Sequence, residues 1–475
     1  MADEKKVEKN IVAIELGSSA VRAILGQKRA DGSLQILGFE KESAPDSIHK
    51  GVVYNVDKTI QAIVAVIKRL EERQKVYVNK VYVGVTGQSL RSVGNTVMRQ
   101  FDEKVTISDE IVESLKHENT SQDYSDCEII DCVVQEYRIG NHLTNSPRGV
   151  IADRIEGFYK NIIARKSLEE GISRCFQGAK LEIAGIFIAP LRLADYLLTE
   201  QEKRAGCALI DFGAETTTVA VYEKDILRHL AVIPLGGNNI TNDIASLLHI
   251  EYVEAESLKR TYGSAYTEES EERENRLIEI SNNRQTDEKR LQAIVEARQQ
   301  EILANVWEQI KDYTDRLISG LIFTGGAANM PQLESAFVKY HNYKNIKTRQ
   351  LPTSPEFTTV HKLDPQTNNF ATLVALLKRG DEECTSERPS ELDLFDSKER
   401  ETPTFEEKTP VDGDGSVKTY RSHTSDTTED GSQSSMEEGQ PTEEEQAPEP
   451  KPKRPSALAR VGRWFREAAG KLVEE

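Results

Sequence analysis

No run of 18 apolar residues occurs in this sequence, so a membrane-crossing helix is not expected. The first ten residues, MADEKKVEKN, carry no apolar core of the kind a secretory leader needs. Cysteine is scarce: five in 475 residues, at positions 127, 132, 175, 207 and 384, without CxxC spacing. An odd, scattered set excludes a disulfide frame and a cysteine zinc site, and fits reducing surroundings. The eight histidines form no HxH or HxxxH pair. Strongly basic blocks are missing too. The net charge is −18, but residues 381–450 hold 22 acidic against 6 basic residues, and residues 451–475 hold 7 basic against 3 acidic. The first 380 residues are left near balance at −6, so nucleic acid is not an expected ligand. The length allows more than one domain and a sizeable core.

What is present is organised around CALIDFGAETTTVAVY, residues 207–222. An apolar run ends in Asp211, Gly213 supplies a turn, and an alternating run follows from Thr218 to Tyr222. The pattern predicts strand, tight turn, strand. Asp211 then stands at a strand end beside backbone N–H groups freed by the turn. Such a turn receives phosphate oxygens, and a strand-end carboxylate holds hydrated Mg²⁺. A plain hairpin has the same local signature. The discriminating signal is an echo, IVAIELGSSAVRAILG at 11–26, with Glu15 in place of Asp211 and Gly17 in place of Gly213. Each copy runs into a third strand and then an apolar helical stripe: Ile60, Ile63, Val64, Ile67 and Leu70 after the first, Ile240, Ile244, Leu247 and Leu248 after the second. A duplicated β-β-β-α unit implies two similar lobes facing a cleft.

The rest of the chain fits around that plan. VYVGVTG (81–87) reads as a strand. Residues 88–165 read as a compact α/β insert, with a helix at Ser108–Glu118 and strands CEIIDCVVQEYRI and VIADRIEGFYKNII. An insert is either decoration or a partner surface. A short helix is expected at 167–178, a buried strand at 181–191, and a mostly helical, charge-rich stretch at 253–318. Within that stretch Arg298 shares a stripe with Leu291, Ile294, Val295 and Ile302. It is either snorkelling or acid-paired, or it receives an anionic or peptide ligand. LIFTGGAANMPQLE (321–334) reads as strand, Gly-Gly turn and helix, with Gly325 and Gly326 allowing close approach of a ligand. NNFATLVALLKRG (368–380) reads as a closing helix.

From 381 to 454 the composition turns to Glu, Ser, Thr, Pro and Asp, and a disordered acidic tether is expected. The end reverses again. At 100° per residue Leu458, Val461, Trp464, Phe465 and Leu472 share an arc of roughly 120°, with Arg460, Arg463, Arg466 and Lys471 opposite. This predicts an amphipathic helix lying in an anionic membrane surface; docking on protein is the alternative.

IELGSSAVRAIL, LIDFGAETTTVAVY and IFTGGAANM resemble the phosphate-1, phosphate-2 and adenosine segments of the actin/Hsp70/sugar-kinase superfamily. The insert after VYVGVTGQSL, the QEY strand, the NSPRGV turn and the basic amphipathic tail narrow the resemblance to the bacterial cell-division FtsA family, over about residues 10–380 and the last twenty. The resemblance implies a duplicated, actin-like (ribonuclease H-like) α/β ATPase fold with an inserted 1C subdomain of SHS2 type. The implied divisions are 1A at 11–87, 1C at 88–165, 1A again at 166–204, 2A at 205–250, 2B at 251–317, 2A again at 318–351 and a 1A closing segment at 352–380. The acidic linker would span 381–454 and the membrane-targeting helix 455–475.

ATP and Mg²⁺ are the implied cofactors. Glu15, Gly17, Ser18, Ser19, Asp211, Gly213 and Thr216 would face phosphates and metal, with Asp211 on the Mg²⁺. Glu256 and Lys259 would serve the ribose and adenine side, and Gly325, Gly326 and Ala327 would lie against the adenosine. Arg298 would receive the C-terminal peptide of FtsZ. Leu458, Val461, Arg463, Trp464, Phe465, Arg466 and Leu472 would contact lipid. The implied role is a peripheral protein on the cytoplasmic face of the membrane at the division site, self-associating into filaments and contacting other division proteins through 1C. Ala20 stands where family members usually carry a lysine, and Ala214-Glu215 where Gly-Gly is common. No Gln, Glu or Asp occurs in 183–191 to orient a water, so at most very slow ATP hydrolysis is expected. The alternative is a small-molecule kinase or other ATPase of the same superfamily.

Overall fold

A computed structural model describes residues 8–268, 276–281, 283–349, 357–359 and 370–387. The first lobe opens with three antiparallel strands, β1 (Lys9–Gly17), β2 (Ala20–Lys28) and β3 (Leu34–Glu42). A two-residue-stranded hairpin, β4 (Ile48–His49) and β5 (Val52–Val53), leads into helix α1 (Val56–Gln74). Asn55 caps α1 by accepting from Lys58 N at 3.0 Å, and left-handed Lys75 ends it. The face formed by Ile63, Val64, Ile67 and Leu70 is buried, and each such side chain contributes about 1.5–3 kcal/mol. After β6 (Val76–Val78), β7 (Lys80–Val85) pairs parallel with β1.

The insert follows: β8 (Arg91–Thr106), α2 (Asp109–Thr120), β9 (Cys127–Ile139), β10 (His142–Thr144) and β11 (Ile151–Arg165). Ser108 caps α2. Val97, Ile107, Leu115, Tyr137, Ile155 and Tyr159 give the insert its own small core. Strand β8 is absent from the sequence reading. Only Val97 of its sixteen residues is buried, so the strand offers no hydrophobic alternation to detect.

The chain then returns through α3 (Lys166–Gly178) and β12 (Glu182–Ile188), which lies parallel to β7. The expected strand to 191 stops at Ile188, because α4 (Ala189–Leu197) starts there with Pro190 in its first turn, where a missing N–H costs nothing. Helix α5 (Glu200–Ala205) carries the chain into the second lobe.

That lobe repeats the first: β13 (Cys207–Phe212), β14 (Thr217–Glu223), β15 (Ile226–Ile233) and α6 (Gly237–Leu248). Ile240, Ile244 and Leu248 are buried, while Leu247 of the expected stripe is 52 % exposed. Next come α7 (Tyr252–Tyr262), β16 (Leu277–Ile280), β17 (Arg284–Asp287) and α8 (Glu288–Ile310). The described part of 253–318 is mostly helical, as expected, and the β16–β17 hairpin is an addition to that reading. Its alternation covers four residues a strand and is masked by charge. Then β18 (Leu321–Thr324), α9 (Leu333–His341) and β19 (Ile346–Thr348) complete the second lobe. Strand β20 (Phe357–Thr359) and helix α10 (Ala371–Arg379) belong to the first.

The duplication is visible in the strand order. One sheet runs β12-β7-β1-β2-β3-β20; the other contains β19-β18-β13-β14-β15. In both, the central strand has an antiparallel neighbour on one side and a parallel one on the other. The insert strands β10-β9-β11-β8 extend the second sheet beyond β15, through the pair Ala231–Arg91. Each lobe has its own large core.

The fold runs past Gly380, where the acidic tether was expected to begin. Cys384 is buried, its N–H donates to Asn10 O at 2.8 Å, and β21 (Thr385–Glu387) pairs with β6. The rest of that tether, and the lipid-facing set Leu458, Val461, Arg463, Trp464, Phe465, Arg466 and Leu472, lie outside the described residues. Among the described residues no helix is long and apolar enough to cross a membrane.

Candidate functional site

A cleft of about 470 Å³ opens where the turns of the two repeats meet, a size suited to a small-molecule ligand. All twelve residues that the resemblance assigns to the nucleotide line it. Glu15, Gly17, Ser18 and Ser19 come from the β1–β2 turn. Asp211, Gly213 and Thr216 come from the β13–β14 turn. Glu256 and Lys259 stand on α7, and Gly325, Gly326 and Ala327 follow β18.

The floor is electrostatically strained. Glu15 and Asp211 are both partly buried carboxylates near strand ends. Burial raises the Asp211 carboxyl to about 7, with the neighbouring Glu15 charge adding to the rise and Arg22 opposing it. Burial also raises Glu15, while Arg22 opposes. Two such carboxylates without enough positive charge favour a cation or a proton. Arg22 supplies part of the compensation. It stands opposite Glu15 in the β1–β2 register, donates to Glu15 Oε2 at 3.4 Å and to Ser19 Oγ at 2.8 Å, and its Nε is buried without a partner among the described residues.

Oxygen-only ligands suit Mg²⁺, which keeps most of its waters. Among the described residues no group of three or more His, Cys, Asp or Glu side chains forms a metal cage. A Glu15–Asp211 pair fits a hydrated ion shared with a ligand's oxygens better than a fully protein-bound one.

The walls are close-fitting. Gly325 has φ +93, and a Cβ there would stand 2.3 Å from Asp211 Oδ1 and 2.5 Å from Phe212 O. Only glycine accommodates both the backbone and the carboxylate at that point. On the other wall Lys259 Nζ meets Glu256 at 2.6 Å, Thr241 Oγ1 at 2.8 Å and Gly237 O at 3.0 Å. Burial holds the Lys259 ammonium below its ordinary value despite that pairing. Glu256 moves down as well: burial pushes it up, but hydrogen bonds from Lys259 and Thr241 outweigh it.

Sequence reasoning missed Arg22, Lys41 and Arg260, which also line the cleft. An arginine inside the otherwise apolar run VRAIL was the available signal for Arg22. Nothing local marks Lys41, at the end of β3. The Glu215 side chain leans across the cleft: its Oε2 accepts from Lys50 N at 2.7 Å and lies 3.5 Å from His49 Nδ1.

Arg298 is not among the residues that line the cleft. Leu291, Val295 and Ile302 of its stripe are buried and Ile294 is partly so, while Arg298 holds Asp243 of α6 and Glu301. The structure places Arg298 in the acid-paired arrangement.

Comparison with known proteins agrees with this architecture. The family profile described as "Cell division protein FtsA" matches residues 208–369, and that described as "SHS2 domain inserted in FTSA" matches residues 87–163. The cell division protein FtsA of Neisseria meningitidis is 31% identical over 336 residues, covering 68% of this chain and 80% of the relative. That of Bacillus subtilis is 31% identical over 342 residues, covering 68% of this chain and 75% of the relative. Among solved structures, a chain of the PilM–PilN type IV pilus biogenesis complex superposes with a TM-score of 0.56 at 16% identity, covering 79% of this chain and 98% of that one. That likeness speaks for the fold alone, and the fold is the duplicated actin-like α/β architecture with an inserted SHS2 domain. From matched profiles and relatives of this coverage, the chain belongs to the FtsA family of cell-division proteins.

Proposed function

We propose that this protein is a peripheral membrane adaptor of cell division. It binds ATP with Mg²⁺ between its lobes, associates with copies of itself into actin-like filaments, and ties FtsZ polymers to the cytoplasmic face of the membrane at the division site. Subdomain 1C, the insert, contacts neighbouring copies and other division proteins.

The observation that carries the nucleotide part is the pair of partly buried carboxylates, Glu15 and Asp211, at equivalent strand ends of the two repeats. Each sits below a glycine turn whose backbone N–H groups suit phosphate oxygens. Mg²⁺, when bound, would neutralise phosphate charge there. Asp211 and Glu15 would hold the ion, Arg22 would balance the remaining negative charge, and Ser18, Ser19 and Thr216 would offer hydroxyls to the phosphates. Glu256 and Lys259 orient the sugar and base, and Gly325-Gly326-Ala327 give the flat ring a wall without side-chain bulk. Because both lobes contribute, ligand binding favours the closed cleft, and lobe closure sets the faces used in self-association. Arg298 receives the acidic peptide of FtsZ, and residues 455–475 bind lipid.

Analysis of nucleotide in the purified full-length protein tests the first step. Adenine nucleotide is expected to co-purify, or to bind on titration in the presence of Mg²⁺, and to be lost in Asp211→Ala. Protein that neither carries nor binds adenine nucleotide overturns the reading.

A further inference from the structure

The tip of the β4–β5 hairpin, Lys50 and Gly51, touches three parts of the molecule. Lys50 N donates to Glu215 Oε2 at 2.7 Å, and Glu215 stands on the β13–β14 turn of the second lobe. Gly51 N donates to Ser18 Oγ at 3.1 Å, on the β1–β2 turn of the first lobe. The Ser18 hydroxyl accepts in that bond, so its own proton stays free for a phosphate oxygen. Lys50 O accepts from Gln88 N at 3.0 Å. Gln88 lies between β7 and β8, where the chain leaves the body for the insert. Gly51 and Gly87 meet there backbone to backbone: a Cβ on Gly51 would stand 2.8 Å from Gly87 Cα.

The neck of the insert has an outgoing and a returning strand, cross-linked where Arg165 N donates to Ser89 Oγ at 3.2 Å. Just beyond the neck, the insert meets the second lobe directly. Arg91 pairs with Ala231 of β15, and Leu230 N donates to Ser92 Oγ at 2.9 Å. A rigid element held at one point can swing about it, and a second hold fixes its angle. Strand β15 supplies one hold and the hairpin tip supplies the other.

We infer that Glu215 is a positioning residue for the insert: through the main chain of Lys50 it makes the angle of the insert follow the β13–β14 turn. Because that turn lines the cleft, the state of the cleft reaches the surface that the insert offers to partners. This last step rests on the nucleotide reading above; the hold of Glu215 on the neck does not. The path is short: carboxylate, Lys50 main chain, Gln88 N–H. The first bond has an ionised acceptor, which makes it stronger than a neutral one, and the Glu215 side chain is only 20 % exposed, so water competes weakly for it. His49 Nδ1, 3.5 Å from the same oxygen, adds to the hold when protonated. A glycine in place of Glu215 would have no side chain to reach the tip.

The test is hydrogen exchange of the full-length protein, read by mass spectrometry over residues 86–92. Without ligand, Glu215→Ala is expected to speed exchange there by about fivefold or more. Helix α1 and strand β13 stay protected and show that the variant folds. Glu215→Gln keeps an oxygen to accept from Lys50 N and is expected to stay within about twofold of the unaltered protein. With Mg²⁺-ATP, exchange in the unaltered protein is expected to change at both 13–19 and 86–92, and in Glu215→Ala at 13–19 alone. Unchanged exchange at 86–92 in Glu215→Ala, or an equal rise in both variants, overturns the role of Glu215 and leaves the nucleotide site standing. If ATP alters neither segment in the unaltered protein, the nucleotide reading and the link to the cleft fail, and the ligand-free comparison still decides whether Glu215 holds the neck.

Discussion

Arg298 grips Asp243 with both ends of its guanidinium: Nε donates to Oδ2 at 2.6 Å and Nη2 to Oδ1 at 3.0 Å. The pair joins α8 to α6 and leaves each side chain a little over one quarter exposed. An acidic peptide that docks on Arg298 therefore competes with an acid already in place. Partly exposed pairs of this kind contribute only about 0.2–1 kcal/mol, so the competition is winnable. Asp243→Asn is expected to tighten binding of the FtsZ C-terminal peptide by about two- to fivefold, by releasing the cation. Arg298→Glu is expected to weaken it by about tenfold or more, since it reverses the charge at the docking point. Fluorescence anisotropy of a labelled peptide reads both. Unchanged affinity in both variants places the peptide elsewhere.

A second acid pair makes a pH prediction. Glu128, at the start of β9 in the insert, interacts with Glu169 on α3 of the body. Burial first, and then the Glu169 charge, raise the Glu128 carboxyl to about 7. Its folded value lies above the ordinary one, so the folded state holds an extra proton between about pH 4.5 and 7. Stability from this site is therefore present at low pH and lost as pH rises through that window. Glu128→Gln is expected to remove the dependence. Between pH 5.5 and 8 the melting temperature of the unaltered protein should fall by about 1–2 °C more than that of the variant. Parallel pH profiles for the two proteins would show that the insert–body junction does not titrate.

Gly325 and Gly32 allow crowding and backbone strain to be separated. Both have positive φ, +93 and +84, but a Cβ at 32 meets nothing within 4 Å, while one at 325 collides with Asp211 Oδ1. Gly32→Ala is expected to cost about 1 kcal/mol for the left-handed backbone alone. Gly325→Ala adds displacement of the partly buried Asp211 carboxylate, and about 3 kcal/mol or more is expected. Chemical denaturation measures the difference. Equal losses would mean that the Asp211 side chain moves aside freely.

The same residues show what a sequence can reveal here. Asp211 and Glu15 were legible because each ends an apolar run at a glycine turn, and a turn leaves a local signature. Their proximity was legible only through the repeat. Arg298 stood out as a charge on an apolar stripe, but Asp243 lies 55 residues away and no local pattern links them. Strand β8 left no trace because an exposed strand obeys hydrogen bonding with its neighbours, not burial. Lys41 and Arg22 reach the cleft only through the pairing of β1, β2 and β3, which is a property of the sheet. Cys384 sits inside a composition that reads as unfolded, and it is held by two strands from the other end of the chain.

Hydrolysis is expected to be slow. The strand β12, which runs alongside β7 to the cleft wall, contributes Ala189, Pro190 and Leu193 from its end and the following helix. None of these can orient a water or take its proton. Without a positioned base, loss of about 10²–10⁴-fold in rate relative to a proficient hydrolase is expected. Phosphate release measured over hours should stay at the level of a few turnovers. Release of many phosphates per minute would show that another cleft carboxylate, Glu215 being the nearest candidate on the turn, serves as the base.

The tail, residues 455–475, has the residue pattern of a reversible lipid anchor. Five apolar side chains share one arc, and Arg460, Arg463, Arg466 and Lys471 lie opposite, with Lys451, Lys453 and Arg454 just upstream. Full burial of a large apolar side chain contributes about 1.5–3 kcal/mol, and each basic residue near an anionic surface about 1 kcal/mol. Insertion is partial, and folding the helix costs free energy, so one copy retains only a few kcal/mol. A monomer should bind reversibly, and several copies on one filament should bind firmly through effective concentration. Flotation with vesicles containing anionic lipid is expected to carry the full-length chain upward and to leave a chain ending at Arg454 at the bottom. Trp464→Glu should behave like the truncation, because it places a charge in the apolar arc without removing any basic residue. High salt should weaken flotation of the full-length chain without abolishing it, since screening acts on the basic side chains and not on the apolar ones. Equal flotation of the full-length and shortened chains would move the membrane contact to the folded body.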